Sequence, residues 1–297
     1  MMFSVLTPTF NRVHLLSNLY ESLSCQNTNN FEWVVVDDGS NDDTKTFIEK
    51  VSVDAGFSVK LLSQANLGQH VAINRGLVAC SGSYVVMVDS DDWLAPRALA
   101  RLTDAISLAE QDREWLDACG VIFDAVDENG NLSGSSLTKI PKKYCTRPER
   151  KYKYRVTGEK KGAYKTEILR KYPYPELSLK PGSRASLMQH DFPALCLPES
   201  LYVHSALAGD SSFTRQKGGI PDDVILLRKA SLLKRDWKYF FWHPKYFIKT
   251  SAQYARAAPS SFSGAVAALR EIMPSPFMPL VVLFLIRRAF SSTPSRP

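Results

Sequence analysis

None of the five cysteines, Cys25, Cys80, Cys119, Cys145 and Cys196, stands in a C-x-x-C pair. That argues against a disulfide framework and a structural zinc site, and it fits a reducing compartment. No apolar run reaches the ~20 residues that span a bilayer. The best candidate, Met278 to Ile286, is about half that length. RNA-binding, helix-turn-helix and zinc-finger signatures are missing, so nucleic acid is not an expected partner. No leader is expected either, because Phe3-Ser4-Val5-Leu6 enters a strand at once. The segment after that strand, Thr7 to Arg12, contains no glycine.

What is present is a globular composition over 297 residues, 44% hydrophobic and 23% charged. That is enough for one large or two ordinary domains with a real core. The formal net charge of +7 suits an anionic partner such as a nucleotide diphosphate or an acidic membrane surface. Strand and helix patterns alternate through the first part. Ser4–Leu6, Trp33–Val36, Phe57–Leu62 and Tyr84–Val88 read as strands. Val13–Ser24, a segment ending near Val51, Gly68 to Ala79 and Pro96 to Leu108 read as helices. Such alternation predicts βαβ units, an α/β fold and a mostly parallel sheet. Val121–Val126 is a further strand. Beyond it the pattern predicts a loop over Lys139–Arg155, a helix over Gly162–Lys171, a helix over Leu187–Leu197 weakened by Pro193, and a strand over Leu201–His204. Helices follow at Val224–Lys234 and Phe262–Ile272.

Polar residues punctuate three of the strand ends. The first is followed by Thr7-Pro8-Thr9-Phe10-Asn11-Arg12, the second by Asp37-Asp38-Gly39-Ser40 and the fourth by Asp89-Ser90-Asp91-Asp92. Parallel strands would bring these ends to one edge, where open α/β sheets bind ligands. Three carboxylates in four positions repel one another unless a cation relieves them. A hard divalent ion bridging carboxylates and a diphosphate would do so. Alone, the cluster also reads as a solvated turn with a helix cap. Asn66-Leu67-Gly68 and Ala72-Ile73-Asn74-Arg75-Gly76 lie between the second and fourth ends.

This ordered set resembles the family 2 glycosyltransferases of the GT-A fold, firmly over residues 3–110. The resemblance implies a nucleotide-sugar donor and Mn2+ or Mg2+. It places Pro8, Thr9 and Phe10 against the base, with Asp38 accepting from a base N–H. Asn66, Gly68, Asn74 and Asp89 belong to the donor site, Asp91 to the ribose or metal, and Asp92 to the metal. It also implies an inverting transfer to a saccharide or lipid-linked saccharide, with Asp191 of Gln189-His190-Asp191-Phe192 as general base. Glu176 and Glu199 are the fallbacks. Lys160 or Tyr164 would approach the acceptor. His190 and His204 are metal or acceptor candidates, although a lone histidine is more often structural. The expected organisation is a nucleotide-sugar-binding half over 1–110, an acceptor-binding half over 111–218 and a helical, basic-aromatic region over 219–297. That last region, rich in Trp, Tyr and Lys over Trp237–Lys249, fits either peripheral contact with the inner face of a membrane from the cytoplasm or packing on protein. Two other classes stay open. A sugar nucleotidyltransferase would want a Gly-rich first loop, and a non-catalytic carbohydrate-binding relative would lack the base.

Overall fold

The computed structural model describes residues 3–174, 184–205 and 236–257, with Leu233, Pro279 and 281–283. The chain forms two compact units that divide between Gly209 and Asp210.

Four parallel strands begin the first unit: β1 (Phe3–Thr9), β2 (Phe31–Asp37), β3 (Ser58–Ser63) and β4 (Tyr84–Met87). They are linked by α1 (Val13–Ser24), α2 (Thr44–Asp54) and α3 (Gln69–Ala79). Side chains alternate across a strand, so neighbouring apolar residues serve opposite faces. Val5, Trp33, Val35 and Val86 pack with Leu16, Leu19 and Leu23 of α1 on one face. Leu6, Val34, Val36 and Val85 pack with Ala72, Ile73 and Leu77 of α3 on the other. A continuous apolar run therefore marks a strand covered on both faces.

Strand order is β3-β2-β1-β4-β8-β6-β9-β5, with β7 against β9. The short β5 (Trp93–Leu94) precedes α4 (Ala98–Ala109), and β6 (Gly120–Asp127), β7 (Tyr144–Cys145), β8 (Lys161–Lys165) and β9 (Ala194–His204) complete the sheet. The second half is mixed: β8 lies antiparallel between β4 and β6, while β6 and β9 are parallel. The helix expected over Gly162–Lys171 is instead β8 followed by the one-turn helix α5 (Thr166–Arg170). A five-residue strand carries too few periods to be told from a helix by pattern. Over Leu187–Leu197 the helix α6 (Arg184–Asp191) stops and β9 begins at Ala194. Pro193, which cannot donate to an α-helical ladder, stands at the break. Within Lys139–Arg155 the chain forms β7 and a π-helical turn, Glu149–Lys153.

At the amino edge of the parallel strands, Glu32 is buried. It accepts from Ser4 Oγ at 2.5 Å, Ser81 N at 2.5 Å and Lys60 Nζ at 2.6 Å. Burial alone would raise its pKa, but the Lys60 ammonium and the Ser4 and Ser81 donors bring it down to about 2.

In the second unit, a 3-10 turn at Trp237–Trp242 leads into α7 (Pro244–Ala257). The expected helix at Phe262–Ile272 lies outside the described residues, as does Val224–Lys234 except for Leu233. Among the described residues no helix is long and apolar enough to cross a membrane.

Candidate active site

The chain leaves β1 toward β2 on one side and later returns to β4 on the other. The crevice beyond their carboxyl ends is thus a topological switch point. Three loops meet there. Asn11 turns the chain with φ of 52°, a left-handed conformation that Asn tolerates. Its backbone N–H donates to Ser40 Oγ at 2.8 Å, and its Oδ1 accepts from Asn41 N at 2.7 Å. Pro8 and Thr9 end β1, and Phe10 is 39% exposed beside them.

Asp38 is buried, and its carboxylate binds loop backbone. It accepts from Gln64 Nε2 at 2.7 Å, Leu67 N at 2.8 Å and Gly68 N at 2.8 Å. Asp37 accepts from Ser40 N at 3.0 Å and caps its own turn. Gly39, at φ of 83°, lies where an added Cβ would be 2.9 Å from Asn66 N, so the loop carrying the exposed Asn66 closes only over a glycine. Thr9 Oγ1 and Gln64 Oε1 are buried without a hydrogen-bond partner. Such orphans are uncommon, and both border the loops that Asp38 organises. Asn74, by contrast, is taken up structurally: its amide donates to Tyr174 O and accepts from Tyr174 N, both at 2.8 Å. It braces α3 in this structure and makes no contact with the acid cluster.

The acids after β4 each have a different partner. Asp91 Oδ2 accepts from Arg12 Nη1 at 3.0 Å. Asp89 Oδ2 accepts from Lys161 Nζ at 3.0 Å, and its Oδ1 from Gln69 Nε2 at 3.4 Å. Asp92 is buried and reaches across to the end of β9. It accepts from Tyr202 Oη at 2.8 Å and Ser205 N at 3.0 Å, with His204 Nδ1 at 3.1 Å. The Lys161 ammonium lies 4.4 Å from the centroid of the Tyr202 ring, a cation–π distance.

Electrostatics separate the acids. Lys161 holds the Asp89 carboxyl below its usual range, against the effect of burial. Burial works against the charge of Lys161 itself, but Asp89 more than offsets it, and the ammonium lies well above its usual range. Asp91 goes the other way: burial and then the Asp92 charge raise its carboxyl, and Arg12 only partly offsets them. Two cations therefore serve three acids. Among the described residues no three His, Cys, Asp or Glu side chains form a metal cage. Mg2+ is commonly held by one or two carboxylates plus substrate phosphates, and the hard oxygens of Asp91 and Asp92 suit it or Mn2+.

Asp191 stands elsewhere. It ends α6, where it accepts from Tyr172 Oη at 3.0 Å and lies 3.3 Å from His190 Nδ1. Pro193, two residues on, accepts from Cys119 N just before β6 starts. Asp191 is thus at the amino end of β9, while the acid cluster meets the carboxyl end of that eleven-residue strand. Across the bulges of β9, Leu195 pairs with Val121 and Tyr202 with Ala125, so the two ends lie roughly 13 Å apart along β6 at about 3.3 Å per residue, and that strand sets Asp191 apart from the acid cluster. Of the fallbacks, Glu199 is held by Arg101 at 2.6 Å and Glu176 lies outside the described residues. Lys160 pairs with Asp124 at 3.1 Å, and Tyr164 is buried with Gln189, so both are engaged within the protein.

The profile of Glycosyl transferase family 2 matches residues 4–172. An uncharacterized glycosyltransferase from Nostoc sp. is 31% identical over 144 residues, 48% of this chain and 42% of that one. The GalNAc(5)-diNAcBac-PP-undecaprenol beta-1,3-glucosyltransferase of Campylobacter jejuni is 37% identical over 100 residues, 33% of this chain and 32% of its own. These matches span less than half the length of either relative. Among solved structures, S. aureus TarS 1–349 in complex with UDP-GlcNAc superposes with a TM-score of 0.61 at 19% identity, over 97% of this chain and 89% of that chain. The mannosyltransferase PcManGT from Pyrobaculum calidifontis, in complex with GDP-Man and Mn2+, gives 0.53 at 18% identity, over 98% and 81%. The mixed sheet, its switch-point crevice and the profile match lead to one assignment: the chain belongs to glycosyl transferase family 2 and has the GT-A fold.

Proposed function

We propose that the chain is a glycosyltransferase that moves a sugar from a nucleotide diphosphate, UDP-sugar in the first instance, to a hydroxyl of a saccharide or lipid-linked saccharide. The observation that carries this reading is the crowded trio Asp89, Asp91 and Asp92 at the switch point, where Arg12 and Lys161 are the two Arg or Lys side chains paired with it among the described residues. A relative that transfers to an undecaprenol-linked saccharide and a fold neighbour that binds UDP-GlcNAc support the substrate classes.

Residues 1–110 form the donor half in this reading and 111–218 the acceptor half. Phe10 presents a ring face to the base, and Thr9 Oγ1 and Gln64 Oε1 offer it unmet hydrogen-bonding capacity. Asp38 retains lone pairs for a base N–H while it shapes the loop of Asn66 and Gly68. Asp91 and Asp92 would hold Mn2+ or Mg2+, which supplies charge neutralisation of the departing diphosphate. Arg12 and Lys161 orient the acids and add positive charge at the same edge. The reaction is an inverting single displacement. The acceptor oxygen bonds to the anomeric carbon as the bond to the β-phosphate oxygen breaks. The acceptor proton passes to a base, and the nucleoside diphosphate leaves. This reading leaves the base unassigned rather than giving the role to Asp191, which ends α6 at the amino end of β9.

That same placement of Asp191 favours a second reading, a nucleotide-sugar-binding relative without transfer. Donor turnover across nucleotide sugars, with and without Mn2+, separates the two. Turnover of none of them, alongside tight UDP binding, would leave the binder.

A further inference from the structure

From Trp237 to Arg270 the chain has no Asp or Glu, against Lys238, Lys245, Lys249, Arg256 and Arg270. Within this stretch α7 divides cleanly. Phe247, Thr250, Ser251, Tyr254 and Ala255 are buried at i, i+3, i+4, i+7 and i+8, one continuous stripe. Lys245, Ile248 and Lys249, at i, i+3 and i+4 of the other face, are exposed. The preceding 3-10 turn is pinned inward by Phe240, whose ring lies 6.1 Å from that of Phe247. Phe241 is thereby turned outward and is 89% exposed, with Trp237 at 49% and Trp242 at 37%. Exposing one large apolar residue is ordinary, but three exposed aromatics within six residues that include Lys238 and no acid, followed by Lys245 and Lys249, make a patch.

We infer that this turn and the outer face of α7 form a docking surface for an anionic lipid bilayer. The chemistry matches at two levels. Trp and Phe enter the headgroup–acyl boundary, and lysines meet anionic headgroups. No described helix is long enough to span, so the segment lies on the surface rather than crossing it. A second copy of this chain fits less well, because a two-fold pairing would set like-charged lysines against each other.

The test is flotation of the purified full chain with phosphatidylglycerol-containing vesicles and with phosphatidylcholine vesicles, at low and high salt. The chain is expected to float with the anionic vesicles at low salt and to be released by high salt. Phe241→Ser should weaken the association about tenfold, from the lost burial of one aromatic side chain. Lys245→Ala with Lys249→Ala should weaken it roughly fivefold per lysine, in anionic vesicles only. Thermal melting of the variants distinguishes lost docking from lost folding, and if Phe241→Ser melts early the exposed lysine pair carries the comparison. No flotation of the wild type, wild-type flotation of the variants, or a stable dimer that Phe241→Ser dissolves would each overturn the proposal. The readout needs no sugar transfer, so it is independent of the proposed reaction.

Discussion

Glu32 at one edge of the sheet in the first unit and the acid trio after β4 at the other are neutralised in different ways. At the amino edge one acid, Glu32, has a lysine and several hydroxyl and backbone donors, and its pKa falls to about 2. At the carboxyl edge three acids share Arg12 and Lys161, and the Asp91 carboxyl is raised. The first arrangement is satisfied and serves stability. The second leaves more acids than paired lysines and arginines, and in the proposed function a divalent cation would relieve it. A buried acid is therefore informative through the charge and donors around it, not through its burial.

Four substitutions test the contrast, ordered here by expected effect. Asp92→Ala should cut transfer by roughly 100- to 1,000-fold with Mn2+ or Mg2+ supplied, the range for losing one preorganised charge-stabilising group. Near-normal turnover would remove Asp92 from the site. Glu32→Gln should leave turnover unchanged but cost about 2 kcal/mol of stability in denaturant unfolding, as for losing charge-assisted hydrogen bonds to a buried carboxylate. Its pH signature has a definite sign. The folded pKa is depressed, so the Glu32 contribution is complete above its ordinary value of 4.5 and is lost as pH falls toward 2. The variant should flatten the stability profile in that window, and an unchanged slope would count against the Glu32 network.

Lys161→Met leaves Asp89 without its cation. UDP binding measured by calorimetry should weaken about tenfold, the effect of one charge-assisted contact. Unaltered affinity would make Lys161 a structural partner alone. Asp191→Asn should change turnover least, within about twofold, because the residue belongs to the amino edge. A large loss of turnover with donor binding intact would reverse that placement.

Much of the donor end was legible in advance. Parallel βαβ units follow from strands of continuous apolar residues spaced by amphipathic helices, and their topology alone brings Thr9, Asp38 and Asp89 to one edge. Gly39 and Gly68 were legible too, since both take a positive φ and at Gly39 an added Cβ would also crowd the backbone of Asn66. Arg12, Lys161 and Tyr202 were not assigned to the donor site from the sequence, and His204 was read only as a metal or acceptor candidate. Lys161 arrives only because β8 runs antiparallel between β4 and β6, which puts its first residue at the carboxyl edge. The short run Gly162–Tyr164 between two lysines, buried throughout, was the available signal, and it was too short to outweigh a helical reading.

Local sequence determined where the strands and helices of the first 110 residues lie and which polar residues follow each strand. Those features depend on side-chain periodicity and turn chemistry, which are properties of neighbouring residues. Tertiary structure alone decided the cations beside Asp89 and Asp91, the attachment of Asp92 to β9 and the placing of Asp191 at the amino end of that strand. Those depend on strand order and direction between segments some 70 to 110 residues apart, as in Lys161 with Asp89 and Tyr202 with Asp92. Non-local pairing of that kind leaves no periodic trace in the chain.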